Sequence, residues 1–166
     1  MRTAMMLAVV LGGVACGSDT GPQTHFQATL SGAYEIPAVT STGAANATFT
    51  VNGLTLNYTL TITAAAASNY TAAHIHTGVA GLSGDVRVNL CGAGTAPACP
   101  TGAGPPVTGS FTATADDMIL PGTPALTYAG LVTALQGRGT YVNVHSSSHT
   151  GGEIRGQIVP SEQSTQ

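Results

Sequence analysis

Three histidines have the residue type and the spacing for a metal site. His74 and His76 are two positions apart, so on a β-strand their side chains lie on one face while Ile75 points to the other. His145 lies in a second alternating run, where it shares its parity with Asn143. Imidazole nitrogens bind copper and zinc, and also nickel and iron. If the two runs are neighbouring strands, His74, His76 and His145 form a three-histidine set with an open coordination position.

The residues alone leave a second interpretation open for this set. The three histidines could instead hydrogen-bond within a polar surface network and bind no ion. The chain has five histidines in all. His25, which precedes the first strand, and His149, in a serine-rich turn, are expected to be exposed and not to be ligands.

Charged residues are scarce, so their positions are informative. The 166 residues include four Lys or Arg and seven Asp or Glu. Asp85 and Arg87 share one strand face, and Glu153 and Arg155 share another, where they are expected to form an ion pair. We predict that Asn143, Glu153 and Arg155 surround the histidines and orient them or tune the ion.

The composition excludes several classes of protein. Charged residues are 7% of the chain, against about 25% in an ordinary soluble domain, which argues against nucleic-acid binding and against a charged helical bundle. Disorder is disfavoured, because 43% of the residues are hydrophobic and the net charge is only −3. No phosphate-binding loop, serine elbow or carboxylate pair is present, so we assign no catalytic residue.

Period-2 alternation of apolar and polar residues predicts the elements that position these side chains. It indicates strands at residues 26–31, 47–51, 54–63, 72–76, 85–90, 107–114, 140–145 and 153–159. The dipeptide Asn52-Gly53 predicts a hairpin turn, and residues 124–135 predict the one helix, ended by Gly137. One half-buried face per strand implies sheet packed on sheet. We therefore expect an all-β fold, a Greek-key antiparallel β-sandwich with one short helix, over residues 25–160.

The N-terminus is typical of an export signal. Residues 4–14 are almost continuously apolar or glycine, a run too short to span a bilayer. Small residues before Cys16 and a polar stretch after it resemble a bacterial lipoprotein processing site, although Gly13 stands where such sites usually have Leu. This predicts a signal peptide at 1–15, a lipidated Cys16 with a tether at 16–24, and a tail at 161–166. The alternative is ordinary cleavage nearby, with Cys16 discarded or unmodified.

Lipidation would place the protein outside the cytoplasm, on the outer membrane or the periplasmic face of the cell envelope, with the lipid as its only membrane contact. Cysteine usage agrees with export. Cys91 and Cys99 bracket a short loop and can form a disulfide in an oxidising compartment. A metal site at these two thiols is disfavoured, since no further ligand lies near them in the chain.

Three motifs resemble the CHRD domain, the domain named for its occurrence in chordin. Residues 30–37 resemble its opening motif, although Ala38 takes the place of a usual second Pro. Residues 73–78, with the glycines that follow, resemble its central motif, and residues 141–158 resemble its C-terminal signature. The resemblance covers roughly residues 26–159. The growth-factor antagonism of chordin does not follow from it, because kinship of fold does not determine function.

A weaker resemblance is to copper/zinc superoxide dismutase, a Greek-key β-sandwich with a His-x-His strand pair, a late histidine and an arginine over its copper. His74, His76, His145 and Arg155 match that set in type and order. Residues 91–106 contain no His or Asp to form a zinc loop, and a Cys91–Cys99 disulfide would be local. We therefore expect a cell-envelope protein that binds a transition metal at these histidines, with copper as the preferred ion and zinc as the alternative. The alternatives are a metal-free binding or adhesion module and a weak dismutase-like redox enzyme.

Overall fold

A computed structural model describes residues 22–112 and 125–161 of the chain. The predicted signal peptide, the lipidated Cys16 and the C-terminal tail beyond residue 161 lie outside the described residues. So do the last two residues of the predicted strand 107–114 and the first residue of the predicted helix.

The regular structure of the described chain is mostly β, which confirms the all-β prediction with one short helix. The strands are β1 (His25–Ser31), β2 (Ala44–Asn52), β3 (Thr55–Ala64), β4 (Tyr70–Thr77), β5 (Val86–Cys91), β6 (Val107–Thr112), β7 (Thr140–Ser146), β8 (Ile154–Gln157) and β9 (Val159–Pro160). A 3-10 helix (Gly32–Tyr34) follows β1, and α1 (Tyr128–Gln136) precedes β7.

The strands form one continuous antiparallel sheet in the order β5-β4-β7-β8-β1-β2-β3-β6, with β9 paired to β1. The sheet curls until its two ends approach each other, so that opposite walls enclose a single core like that of a nearly closed barrel. The Tyr58 hydroxyl on β3, the strand next to the end strand β6, donates to the Leu90 carbonyl on the other end strand, β5, at 2.8 Å. Closure of this kind protects the edge strands.

Alternation in the sequence accounts for the interior. On β3, Leu56, Leu60 and Ile62 point inward and are buried, while Asn57 between them is exposed. β2 and β3 pair as a hairpin whose turn residues are Gly53 and Leu54, one position later than the predicted turn. Gly53 has φ of 58°, a conformation that glycine adopts without steric cost.

The helix lies close to its predicted position. The Thr127 side chain caps its N-terminus by accepting from the Gly130 amide, and Gly137 follows its last turn. Leu131 and Leu135 are fully buried against the core. The apolar face of α1, which the sequence predicted, therefore covers part of the core.

The predicted disulfide is present between Cys91 and Cys99. It indicates an oxidising compartment. Among the described residues, no helix combines the length and the apolar character needed to cross a membrane.

Candidate metal centre

β4 and β7 are adjacent and bring the three histidines together. Their antiparallel register places His74 opposite Asn143, and His76 opposite Tyr141. His145 pairs with Ala72 and is therefore the diagonal neighbour of His74 on the same face. The parity read from the sequence, combined with this pairing, is what makes the three side chains converge.

One ring nitrogen from each of His74, His76 and His145 can be chosen so that all three lie within 4.8 Å of one another. His74 Nδ1 and His145 Nε2 are 3.1 Å apart and share a hydrogen bond. Nitrogens bound to one ion at about 2.1 Å are at most about 4.2 Å apart, so the set needs only a small contraction to hold a metal.

Backbone carbonyls orient two of the three rings. His76 Nδ1 donates to the Gly84 carbonyl at 2.9 Å, and His145 Nδ1 donates to the Thr150 carbonyl at 2.9 Å. A carbonyl can only accept, so in the neutral rings each Nδ1 carries the proton and each Nε2 presents a lone pair. A carbonyl held by the second ring nitrogen is the usual support of a metal-binding histidine.

Among the three histidines, only His76 has a fully buried ring nitrogen without a hydrogen-bond partner. This Nε2 atom is buried and has no hydrogen-bond partner among the described residues, and His76 is only 8% exposed. A buried acceptor without a partner costs free energy, which a bound cation would recover. This observation fits a metal ligand better than a structural hydrogen-bonding histidine.

Burial keeps all three histidines neutral. Desolvation, with smaller effects from His145 and His76, lowers the pKa of His74 to about 4. Desolvation also lowers the pKa of His76 and of His145, although the hydrogen bonds to their carbonyls act in the opposite direction. Metal binding requires unprotonated imidazole, so at neutral pH no proton has to be removed from an imidazolium before an ion can bind.

A stack of side chains supports His76. Its ring lies parallel to that of Tyr141, with centroids 4.8 Å apart and planes 13° apart. The Arg155 guanidinium carbon lies 3.4 Å from the Tyr141 ring centroid. The Tyr141 hydroxyl also accepts from the Gly84 amide, at the loop whose carbonyl holds His76. Tyr141 therefore fixes both the ring of His76 and the loop that orients it.

Asn143 lies at the centre of the same face but turns toward a carboxyl group. Its Nδ2 donates to Glu35 Oε2 at 3.3 Å. Desolvation raises the pKa of Glu35 to about 7, despite the lowering effects of the Arg155 charge and the Asn143 hydrogen bond. Asn143 is paired with His74 across the two strands, and no hydrogen bond joins its side chain to the three histidine rings.

Glu153 does not form the ion pair expected with Arg155. It accepts hydrogen bonds from Ser41, Ser146 and His149, and these outweigh its desolvation so that its pKa is lowered. Arg155 instead donates to the Leu82 carbonyl. The expectation was wrong because Glu153 precedes β8 and lies in the turn after β7, so strand parity does not govern its direction.

The other predicted polar groups are separate from the centre. Arg87 pairs with Asp85 at 3.2 Å. His25 is exposed, as expected. His149 is partly exposed and forms an ion pair with Glu153 when protonated.

A protein-family model, that of the CHRD domain, matches residues 26–158. The chain belongs to the CHRD family. No curated protein and no solved structure matches the chain significantly. The similarity to superoxide dismutase therefore stays a prediction from residue types alone.

Several residues around the candidate metal centre were not identified from the sequence. Glu35 belongs to the opening family motif, and its presence there was the one available signal. The carbonyls of Gly84 and Thr150 carry no side-chain signal at all. Tyr141 shares the parity of His145, but only the pairing of β4 with β7 places it against His76.

Proposed function

We propose that this CHRD protein binds one transition-metal ion through His74, His76 and His145. Copper is the preferred ion and zinc is the alternative. The observation that carries the proposal is the buried Nε2 atom of His76, which has no partner among the described residues while the Gly84 carbonyl holds its other nitrogen. The three-His set alone would be weaker support, because histidines also cluster in polar networks.

The donor set favours copper. Three neutral imidazoles, with no thiolate or carboxylate among them, suit copper and zinc, and copper(II) forms the more stable complexes with nitrogen ligands. The ion would replace the hydrogen bond between His74 Nδ1 and His145 Nε2. Binding through Nδ1 therefore requires His74 to change tautomer, so that its proton moves to Nε2 and the ring stays neutral.

The three predicted surrounding residues support the centre in different ways. Arg155 acts through the Tyr141 ring on His76. Glu153 holds Ser146 and His149, and so braces the turn whose Thr150 carbonyl orients His145. Asn143 ties β7 to Glu35 behind the ligands.

The proposal includes a location. We infer that Cys16 is lipidated and anchors the domain in the cell envelope, in agreement with the oxidising compartment that the disulfide indicates. The substitution Cys16→Ser should move the protein from the membrane fraction to the soluble fraction. Retention of the variant in membranes would contradict lipidation.

Calorimetric titration of the purified protein with Cu(II), Cu(I) and Zn(II) tests the metal site. We expect one ion per chain with Kd below about 10 μM. His76→Ala and His145→Ala should weaken binding by at least about 100-fold, since each removes one of three ligands. The matched control is His25→Ala, which removes an exposed histidine and should leave binding unchanged. Absence of binding, or equal affinity in the wild type and all variants, would contradict the proposal.

The competing function is a metal-free binding module. The hydrogen bond between His74 and His145 favours it, because that contact already satisfies part of the cluster without an ion. If binding is found, a superoxide assay on the copper-loaded protein separates a metal carrier from a dismutase-like enzyme.

A further inference from the structure

A second candidate site does not include the three histidines. It is a cavity of about 580 Å³ bounded by β1 and the segment after it, by the loop between β4 and β5, and by β8 and β9. Ligand-binding clefts for small molecules typically measure about 300–1,000 Å³. The cavity is therefore large enough for a small organic molecule or the end of a peptide.

The walls of this cavity are mainly apolar. Ala33, Ile36, Ala80 and Val159 line it, together with the Tyr34 ring. The described chain has five exposed large hydrophobic residues, and four of them lie on the two loops at the cavity: Tyr34, Ile36, Val79 and Leu82. Exposed apolar residues that cluster around a concavity usually mark a binding site.

Arg155 gives the cavity a buried positive charge. It lines the cavity, is only 3% exposed, and donates one hydrogen bond, to the Leu82 carbonyl. No Asp or Glu forms an ion pair with it among residues 22–112 and 125–161. A guanidinium has five N–H donors, and the Glu35 carboxyl, which interacts with this charge electrostatically, forms no ion pair with it. The arrangement is therefore suited to an anion.

The second ionisable group of the cavity limits the charge of that anion. Glu35 also lines the cavity, and desolvation raises its pKa to about 7. Near neutral pH the two groups together carry a charge between zero and +1, which matches a monoanion better than a phosphate dianion. A carboxylate is planar and accepts two parallel hydrogen bonds from a guanidinium.

We propose that this cavity binds a monocarboxylate with an apolar body, whose carboxylate pairs with Arg155 while its body contacts Ile36 and Ala80. Two sources share this chemistry: a free carboxylic acid, and the C-terminal carboxylate of an apolar peptide. The inference does not depend on the metal. Arg155 nevertheless connects the two sites, because it stacks on the Tyr141 ring that supports His76.

The test uses chelator-treated protein, so that its result is separate from that of the metal titration. Binding of 4-phenylbutyrate and of its amide is compared by NMR chemical-shift titration and calorimetry. The peptide Ala-Leu-Phe is compared in the same way with a free and with an amidated C-terminus. We expect each carboxylate to bind at least about tenfold more tightly than its amide, with shifts at the residues that line the cavity. The tighter of the two carboxylates identifies the source.

Two pairs of variants locate the binding. Arg155→Gln should weaken carboxylate binding about tenfold or more, while Arg138→Gln, which removes an exposed arginine, should not. Ala80→Trp fills the cavity from an exposed loop position and should abolish binding, while Ala129→Trp on the exposed side of α1 should not.

Three outcomes would overturn the proposal: no binding by either carboxylate, equal binding of acid and amide, or binding that survives Ala80→Trp. If Arg155→Gln does not fold, the comparison of acid with amide and the Ala80→Trp variant still decide. A negative metal titration leaves this inference standing, and a negative carboxylate titration leaves the metal site standing.

Discussion

Two halves of the same sheet differ in the burial of their outward side chains. In the open half, formed by β1, β2 and β3, burial alternates along each strand, and outward residues such as Thr29 and Thr48 are exposed. In the covered half, formed by β4, β5, β7 and β8, burial is nearly continuous on β5, β7 and β8. There the outward residues Asn143 and Arg155 are as buried as many core residues.

The difference arises from what lies over each half. Residues 78–85 fold back onto the covered half and are fastened there by His76, Tyr141 and Arg155, through contacts with Gly84 and Leu82. Glu35, from the segment after β1, reaches the same face through Asn143. Outward polar residues become a site only where such loops exclude water. The same alternation without a cover produces a solvated, threonine-rich wall.

The largest expected change in stability comes from a substitution that disturbs the packing of the covered half. A Cβ at Gly152 would lie 2.7 Å from Asn143 and from Glu35 Oε1, and its φ of 140° disfavours other residues. Gly152→Ala should therefore lower the free energy of unfolding by about 2–3 kcal/mol, as measured by urea denaturation. Gly151→Ala is the matched control, because a Cβ there meets nothing within 4 Å. Equal effects of the two substitutions would mean that the cover is loose.

Acid should weaken the covered half through its histidines. The pKa of His74 is about 4 in the folded protein, against the ordinary 6.5. The unfolded chain therefore binds a proton first, and stability falls as pH decreases from about 6.5 to about 4, by about 1–2 kcal/mol for this group. Denaturation of metal-free protein at several pH values measures the slope. His74→Gln should make it shallower, while His25→Gln should not; the same slope in both variants would contradict burial of His74.

Glu35 should produce a pH dependence of the opposite sign. Its pKa is raised from 4.5 to about 7, so its stabilising contribution is complete below about 4.5 and is lost as pH rises through 7. Arg155 and Glu153 are the charged groups that act on it. Relative to wild type, Glu35→Gln should gain about 1 kcal/mol of stability between pH 5 and pH 8. A constant difference across that range would show that Glu35 is solvated.

The smallest effect is expected in the open half. Thr48 on β2 is exposed and pairs with Gln27 and Thr59 on the neighbouring strands. Thr48→Ala should change the free energy of unfolding by less than about 1 kcal/mol, because only strand preference and side-chain pairs are lost. A loss comparable to that of Gly152→Ala would remove the distinction between the halves.

The accuracy of sequence-based prediction depends on whether local spacing or a contact between distant segments determines the feature. Strand positions were predictable in both halves, because an apolar residue at every second position is needed to fill the core. The facing of His74, His76 and His145 was also predictable, since parity and strand adjacency determine it. The pairing of Glu153 with Arg155 was predicted wrongly, because it depends on the turn that ends before β8.

The sequence by itself determined the alternating core, the disulfide pair, the family and the three histidines on one parity, because all of these depend on local spacing or on short motifs. Only the tertiary structure decided that β4 lies beside β7, that the sheet curls into a nearly closed barrel, and that two loops bury one outer face. Those features depend on contacts between distant segments. Burial by these distant contacts keeps the histidines neutral and leaves the His76 Nε2 atom without a partner among the described residues. The same contacts place Arg155 in the wall of a cavity.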